Sequence, residues 1–418
     1  MTSEELEPGS PSVAPILMPP PSVPAAEPAP AVQPLEPRLE RTPARRRRID
    51  LNAWAMAGVL AAMWAVLAIL PATSDMFLTR ENFAMLMSQG AVLLVVSVGM
   101  TMVILIRGID LSVGAGVALT GVVAGILHVK LGVPAPLAML AAVACGAAIG
   151  AWHGLWVGWL GVPAFVVTLA GFEAFRGAAL VLSHSTSITM GDDFAFANGH
   201  VPPSATWLIV LGVLAAGVAM TLREAARRKA FGLEPFTTTD VAARMAGQVL
   251  LAVLVLGVFG ATGIPVVVFV AAVVALWGVF VTKRTRFGRH LYAIGGNPEA
   301  ARLSGISVRR TTLAVYMIVG VLTAIAGILL AARTNSVTPG NQGQLLELYA
   351  VTTVVIGGTS LSGGRGGVVG TVLGTLVFAT LARGMNLLQI DSNWQWICTG
   401  LMLLVAVLID VLSKGKRS

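Results

Sequence analysis

The run Phe83-Ala84-Met85-Leu86-Met87-Ser88-Gln89-Gly90-Ala91-Val92-Leu93-Leu94-Val95-Val96-Ser97-Val98-Gly99-Met100-Thr101-Met102-Val103-Ile104-Leu105-Ile106 contains no charged side chain. A bilayer core about 30 Å thick needs about 20 apolar helical residues, because unpaired backbone groups in lipid cost several kcal/mol. This run meets that length, and similar runs lie on both sides of it: 51–71, 112–129, 137–160, 163–181, 204–222, 245–262, 264–282, 313–332, 366–384 and 393–412. Gly263-Ile264-Pro265 divides two of them as a tight turn, with one long bent segment as the competing reading. A further apolar stretch, 345–357, is too short to span alone and runs into Gly357-Gly358-Thr359-Ser360-Leu361-Ser362-Gly363-Gly364, so it reads as a broken or partly re-entrant helix. The fold class is all-α: a polytopic transmembrane helical bundle of ten to twelve spans with glycine-broken short helices.

Composition agrees. Of 418 residues, 56% are hydrophobic and 11% charged, and the mean hydropathy is +0.82. Soluble domains carry roughly a quarter charged residues. The net charge of +8 does not indicate nucleic acid, because the basic residues sit between apolar runs instead of lining one face with aromatics. They mark topology. Arg223, Arg227, Arg228, Lys229 and Arg244 fall in one connection, Lys283, Arg284, Arg286, Arg289, Arg302, Arg309 and Arg310 in another, and Lys414, Lys416 and Arg417 follow Leu412. The connection 182–203 has only Asp192 and Asp193. The positive-inside rule then predicts both termini in the cytoplasm. Residues 1–48 hold twelve of the 22 prolines and end in Arg45-Arg46-Arg47-Arg48. That composition predicts a disordered cytoplasmic tail without the features of a cleavable signal peptide, ahead of a membrane domain over 49–412 and a basic tail over 413–418. Cys145 and Cys398 lie in apolar runs and read as packing residues.

Gly108-Ile109-Asp110-Leu111-Ser112-Val113-Gly114-Ala115-Gly116 is echoed 250 residues later by Gly358-Thr359-Ser360-Leu361-Ser362-Gly363-Gly364-Arg365-Gly366. Two glycine-broken helix junctions of this kind suggest an internal repeat, with chance likeness among glycine-rich segments as the alternative. At such a break Asp or Ser can cap the freed amides of the next helix, and Asp110 before Ser112 fits an N-cap.

Between the basic residues lies Arg286-Phe287-Gly288-Arg289-His290-Leu291-Tyr292-Ala293-Ile294-Gly295-Gly296, followed by Asn297-Pro298-Glu299-Ala300-Ala301-Arg302-Leu303-Ser304-Gly305-Ile306. The second part reads as a short helix: Asn297 caps it, Pro298 suits its first turn and Gly305 ends it. Its two readings are a docking element for a cytosolic motor subunit and a helix lying on the membrane surface. The 107–114, 288–306 and 355–366 blocks together resemble the ribose/xylose-type permeases of bacterial ABC importers, with the xylose branch nearest. The resemblance covers residues 50–412. It implies a homodimeric membrane channel, two cytosolic ATPase subunits that use the ATP, a periplasmic sugar-binding protein and a monosaccharide substrate. It also implies that Glu299 to Ile306 belong to the coupling region, whereas the long proline-rich tail departs from the family pattern.

No Gly-x-x-x-x-Gly-Lys-[Ser/Thr] loop, His-Glu-x-x-His or metal-spaced cysteine pair occurs, so the expected mechanism is gating with no cofactor bound by this chain. His153 stands alone in a span, and Glu173 with Arg176 reads as an ion pair at i, i+3. For a sugar, which needs hydroxyl, amide and carboxylate partners plus an aromatic platform, the path candidates are Asn341, Gln344, Glu347, Trp152 and Trp156. Asp110, Ser112, Thr359, Ser360 and Arg365 are the path or gating candidates at the two breaks. A standalone secondary carrier and a membrane scaffold remain the rival functions.

Overall fold

The computed structural model describes residues 51–232 and 236–415; the tail expected over 1–48 lies outside the described residues. In chain order the helices are α1 (Leu51–Ile69), α2 (Ser74–Phe77), α3 (Arg80–Leu105), α4 (Val113–Gly125, continued by a π-helical turn over Ile126–Lys130), α5 (Ala135–Gly158) and α6 (Ala164–Ser183). Then come strand β1 (Ile188–Thr189), a 3₁₀ segment (Asp192–Asn198), α7 (Pro203–Ala230), α8 (Thr238–Phe259), α9 (Val266–Arg284), α10 (Arg286–Gly296) and α11 (Pro298–Leu303). The chain ends with α12 (Val308–Thr334), β2 (Ser336–Val337), α13 (Leu346–Ile356), α14 (Val368–Leu387) and α15 (Ser392–Gly415).

Among the described residues, nine helices are long and apolar enough to cross a membrane: α3, α4 with its π-turn, α5–α9, α12 and α14. The apolar stretches described in α1 and α15 are shorter, and α13 has only eleven residues, as its broken pattern predicts. Helix starts follow local chemistry. α5, α6, α7 and α9 begin directly behind Pro134, Pro163, Pro202 and Pro265, residues with a preset φ and no amide to leave unpaired. Thr237 and Asp240 form a capping box on α8. Gly263, at φ +87, makes the turn into α9, so the pair 245–262 and 264–282 is two helices.

The bundle is built around α3, whose residues from Gly90 to Leu105 are nearly all buried, with α9, α12, α13 and α14 against it. α5 and α12 approach backbone to backbone: where a Cβ on Gly146 would stand lies the Gly320 carbonyl, and the reverse holds. α7 and α8 instead expose Leu208, Leu250, Leu251, Val253 and Leu254, an apolar rim suited to lipid tails.

Several short elements are not expected from the sequence, α10 and the β1–β2 pair among them. α10 is a helix across what reads as loop, burying Leu291 and Ile294 and capped by the Thr285 hydroxyl. β1 pairs antiparallel with β2, Ile188 opposite Val337, at the end of the bundle away from the arginine-rich α9–α12 connection.

The two glycine breaks meet at the arginine-rich end, where the Gly364 amide donates to the Leu105 carbonyl at 3.0 Å. Behind them α3 is stitched to α13 by a Ser97–Thr353 hydroxyl pair (2.8 Å) and to α14 by a Thr101–Thr371 hydroxyl pair (2.6 Å). From Gly357 at that end, the eleven residues of α13 climb about 16 Å. That is about half of a 30 Å core. There the start of α13 touches the start of α4: a Cβ on Gly114 would strike the Gly343 carbonyl and the Glu347 carboxylate. Two interrupted helices thus begin together near mid-bundle and run to opposite ends.

Candidate functional site

The turn between β2 and α13 folds into the bundle through local bonds. Asn341 and Gln342 amides donate to the Thr338 carbonyl, and Gly343 (φ +69) lets the chain reverse beside Gly114. Leu345, at φ 60, adopts a conformation rare for a branched side chain, held where α13 begins. Arg176 of α6 fixes the turn from outside, its Nη1 donating to the Pro339 and Gln342 carbonyls at 2.9 and 2.8 Å. This corrects the expected Glu173–Arg176 pair: Glu173 is exposed, and the Arg176 guanidinium is held by these two carbonyls instead.

Above this turn opens a cavity of about 290 Å³, lined by Gln89 of α3, Arg333 of α12, Asn341, Gln344, Tyr349 of α13 and Phe378 of α14. The Arg333 guanidinium is anchored by donating to the Ser88 carbonyl at 2.9 Å. The Tyr349 and Phe378 rings lie 4.9 Å apart, centroid to centroid. Amide groups and a guanidinium beside an aromatic pair can hydrogen-bond hydroxyls while covering the apolar face of a sugar ring. Of the path candidates expected from sequence, Asn341 and Gln344 line this cavity; Gln89, Arg333, Tyr349 and Phe378, which line it too, were not among them. The signal was present only as polar or aromatic residues in apolar runs 89 to 378 residues along the chain.

Glu347 stands behind the cavity wall and not in its lining. It is 6% exposed, in the first turn of α13 and beside the start of α4, so two helix N-termini face its carboxylate. Among the described residues, the buried Glu347 Oε2 and Gln342 Nε2 have no hydrogen-bond partner.

Asp110 occupies the first break and is buried. Its Oδ1 accepts from the Ser112 amide at 2.9 Å and the Ser112 hydroxyl at 2.6 Å. The expected cap is therefore an Asx turn, with Ser112 in the N-cap position of α4. Oδ2 lies 4.0 Å from Nδ1 of His153, the histidine the sequence left solitary, which is flanked by the Phe175 and Tyr316 rings. The Thr168 hydroxyl donates to the Ile109 carbonyl, so α6 also holds this break.

Thr359, Ser360 and Arg365 shape the second break. The Thr359 hydroxyl accepts from the Gly367 amide, and the Ser360 amide donates to the Arg365 carbonyl. Neither break reaches the cavity. Trp152 and Trp156 stack edge to face at 5.4 Å, 52% and 36% exposed on the outside of α5, away from the cavity. In the 297–305 segment, Asn297 Oδ1 accepts from the Glu299 and Ala300 amides, Pro298 opens α11 and Ala301 faces inward. Arg302 pairs with Glu299 at 2.9 Å, the Ser304 hydroxyl donates to the Ala300 carbonyl, and Gly305 turns away at φ +81. Leu303, 79% exposed, leaves an apolar tip on this small charged helix.

Residues 82–407 match the family described as branched-chain amino acid transport system / permease component. The xylose transport system permease protein of Escherichia coli is 40% identical over 377 residues, 88% of this chain and 94% of that protein. The corresponding Haemophilus influenzae protein is 38% identical over 88% of this chain and 99% of its own length. The ribose import permease protein of Escherichia coli is 35% identical over 87% of this chain and 96% of its own length. No solved structure matches the chain. With a bundle of apolar, glycine-broken helices matched from α3 into α15, the chain is a multi-pass membrane protein that belongs to this transport-system permease family.

Proposed function

We propose that this chain is the membrane-spanning permease subunit of an ATP-driven monosaccharide importer of the bacterial inner membrane, and that the sugar is xylose. The observation that carries the reading is the cavity of Gln89, Arg333, Asn341, Gln344, Tyr349 and Phe378 in a chain 40% identical to a xylose permease. Two copies form the path, a cytosolic ATPase docks on Glu299 to Gly305, and a periplasmic sugar-binding protein delivers the sugar at the end carrying β1 and β2. The distribution of Lys and Arg supports this orientation, with the α9–α12 connection and both termini in the cytoplasm. The chain's work is alternating access: outward and inward states close in free energy, biased by ATP binding and hydrolysis in the partner.

One observation favours a secondary carrier instead, the buried Glu347 carboxylate with an unpartnered oxygen. The two readings separate in proteoliposomes containing the chain, its ATPase and xylose-loaded binding protein. Uptake that needs ATP and ignores an imposed proton gradient supports the importer. Uptake by the chain alone, driven by that gradient, overturns it.

A further inference from the structure

We infer that Arg107 is the positioning residue that joins the motor-docking segment to both broken helices at once; the inference rests on the ATP-driven reading above. Arg107 is the first residue beyond α3 and its C-cap Ile106, and it holds a left-handed backbone, φ 68, that a long side chain seldom adopts. That conformation aims its guanidinium at the C-terminus of α10: Nε donates to the Gly295 carbonyl at 2.8 Å and Nη2 to the Gly296 carbonyl at 2.6 Å. These are the last carbonyls of α10, which lack partners within the helix and carry the negative end of its dipole.

The second break is fastened to the same place. The Tyr292 hydroxyl donates to the Gly366 carbonyl at 2.9 Å. A Cβ on Gly295 would strike both the Leu105 carbonyl and the Gly364 backbone, so three chain segments touch there with no side chain between them. The Arg107 side chain also fills the space beside Gly363.

The consequence is mechanical. α11 follows α10 after the single residue Asn297, so force on α11 reaches the carbonyls that Arg107 grips. From Arg107 five residues lead to α4, and from Gly366 the chain leads back through the break to α13. Those two helices meet at Gly114 and Glu347, beside the turn that walls the cavity. Arg107 is therefore placed to carry one displacement into two helices that must move together.

The test uses the full chain assembled with its ATPase, reconstituted with the binding protein and radiolabelled xylose, and reads ATP hydrolysis, uptake and melting temperature. Arg107→Gly accepts the left-handed backbone at no steric cost and deletes the clasp together with the side chain beside Gly363. Tyr292→Phe deletes the second bond. Arg107→Gly is expected to hydrolyse ATP within about twofold of wild type while uptake per ATP falls about tenfold, and Tyr292→Phe to act in the same direction less strongly. The double variant should fall short of the product of the two, because both bonds hold one joint. Uptake per ATP at the wild-type value in Arg107→Gly overturns the inference, as does a loss of uptake matched by an equal loss of hydrolysis. Should Arg107→Gly melt well below wild type, Tyr292→Phe decides by the same ratio. A wild-type complex without ATP-dependent xylose uptake would instead defeat the importer reading itself.

Discussion

At Gly114 a single missing methyl lets two helix starts touch, since a Cβ there would overlap the Gly343 carbonyl and the Glu347 carboxylate. Both neighbours are fixed, one as backbone and one by burial, so Gly114→Ala cannot be absorbed by a flexible side chain. The variant should lose about 1–3 kcal/mol of stability, read as a lower melting temperature in detergent. Asn341 and Gln344 are a different case, exposed at the cavity with no packing burden. If the proposed sugar path runs through this cavity, replacing either with Ala removes a hydrogen bond to sugar of about 0.5–1.5 kcal/mol. KM for uptake should rise about two- to tenfold with ATP hydrolysis unchanged. An unchanged KM in both variants would place the sugar elsewhere. The place of Asn341 and Gln344 in the cavity lining was legible in the sequence, as a polar cluster between two apolar runs. Arg176 was not: the local rule points to Glu173 three residues away, whereas the fold gives its guanidinium two carbonyls more than 160 residues distant. Periodicity reports neighbours on one helix and is silent about neighbours across the bundle.

Among elements, α11 shows how far local chemistry alone can specify structure. Asn297, Pro298, Glu299 and Gly305 each sit where capping and helix-end rules place them, and the six-residue helix follows. α10 was hidden because Gly288, Gly295 and Gly296 look like loop residues; Gly288 and Gly295 are there because neighbouring backbones leave no room for anything larger. β1 and β2 hold two residues each, too few for an alternating pattern to exist. α11 also carries its own prediction. Arg302→Glu reverses the Glu299 pair into like charges and puts an acid at the negative end of the helix. Gly305→Trp forces a bulky residue into φ +81, on an exposed turn with nothing nearby. Both changes should leave membrane insertion intact and lower uptake per ATP hydrolysed. Wild-type coupling in both would remove α11 from the docking surface.

Across the whole molecule, chain direction alternates so that two sets of connections separate. The Met190 amide donates to the Asn335 carbonyl and β1 pairs with β2, which binds the 184–202 connection to the turn that walls the cavity. At the other end lie α10, α11, both glycine breaks and the arginines of the α9–α12 connection. The spans were legible because lipid demands long uncharged runs, and burial within the bundle was not, since α3 and α8 are equally apolar yet lie at its centre and its rim. Orientation is the property on which the partner assignments depend, and the distribution of Lys and Arg supports it. Asp193 is exposed beside His128 on the acidic connection, and Arg289 is exposed on α10. In a chain with Cys145 and Cys398 replaced by Ala, Asp193→Cys should react with a membrane-impermeant maleimide in intact spheroplasts. Arg289→Cys should react only after the membrane is opened. The reverse pattern would turn α11 toward the periplasm, out of reach of any cytosolic ATPase.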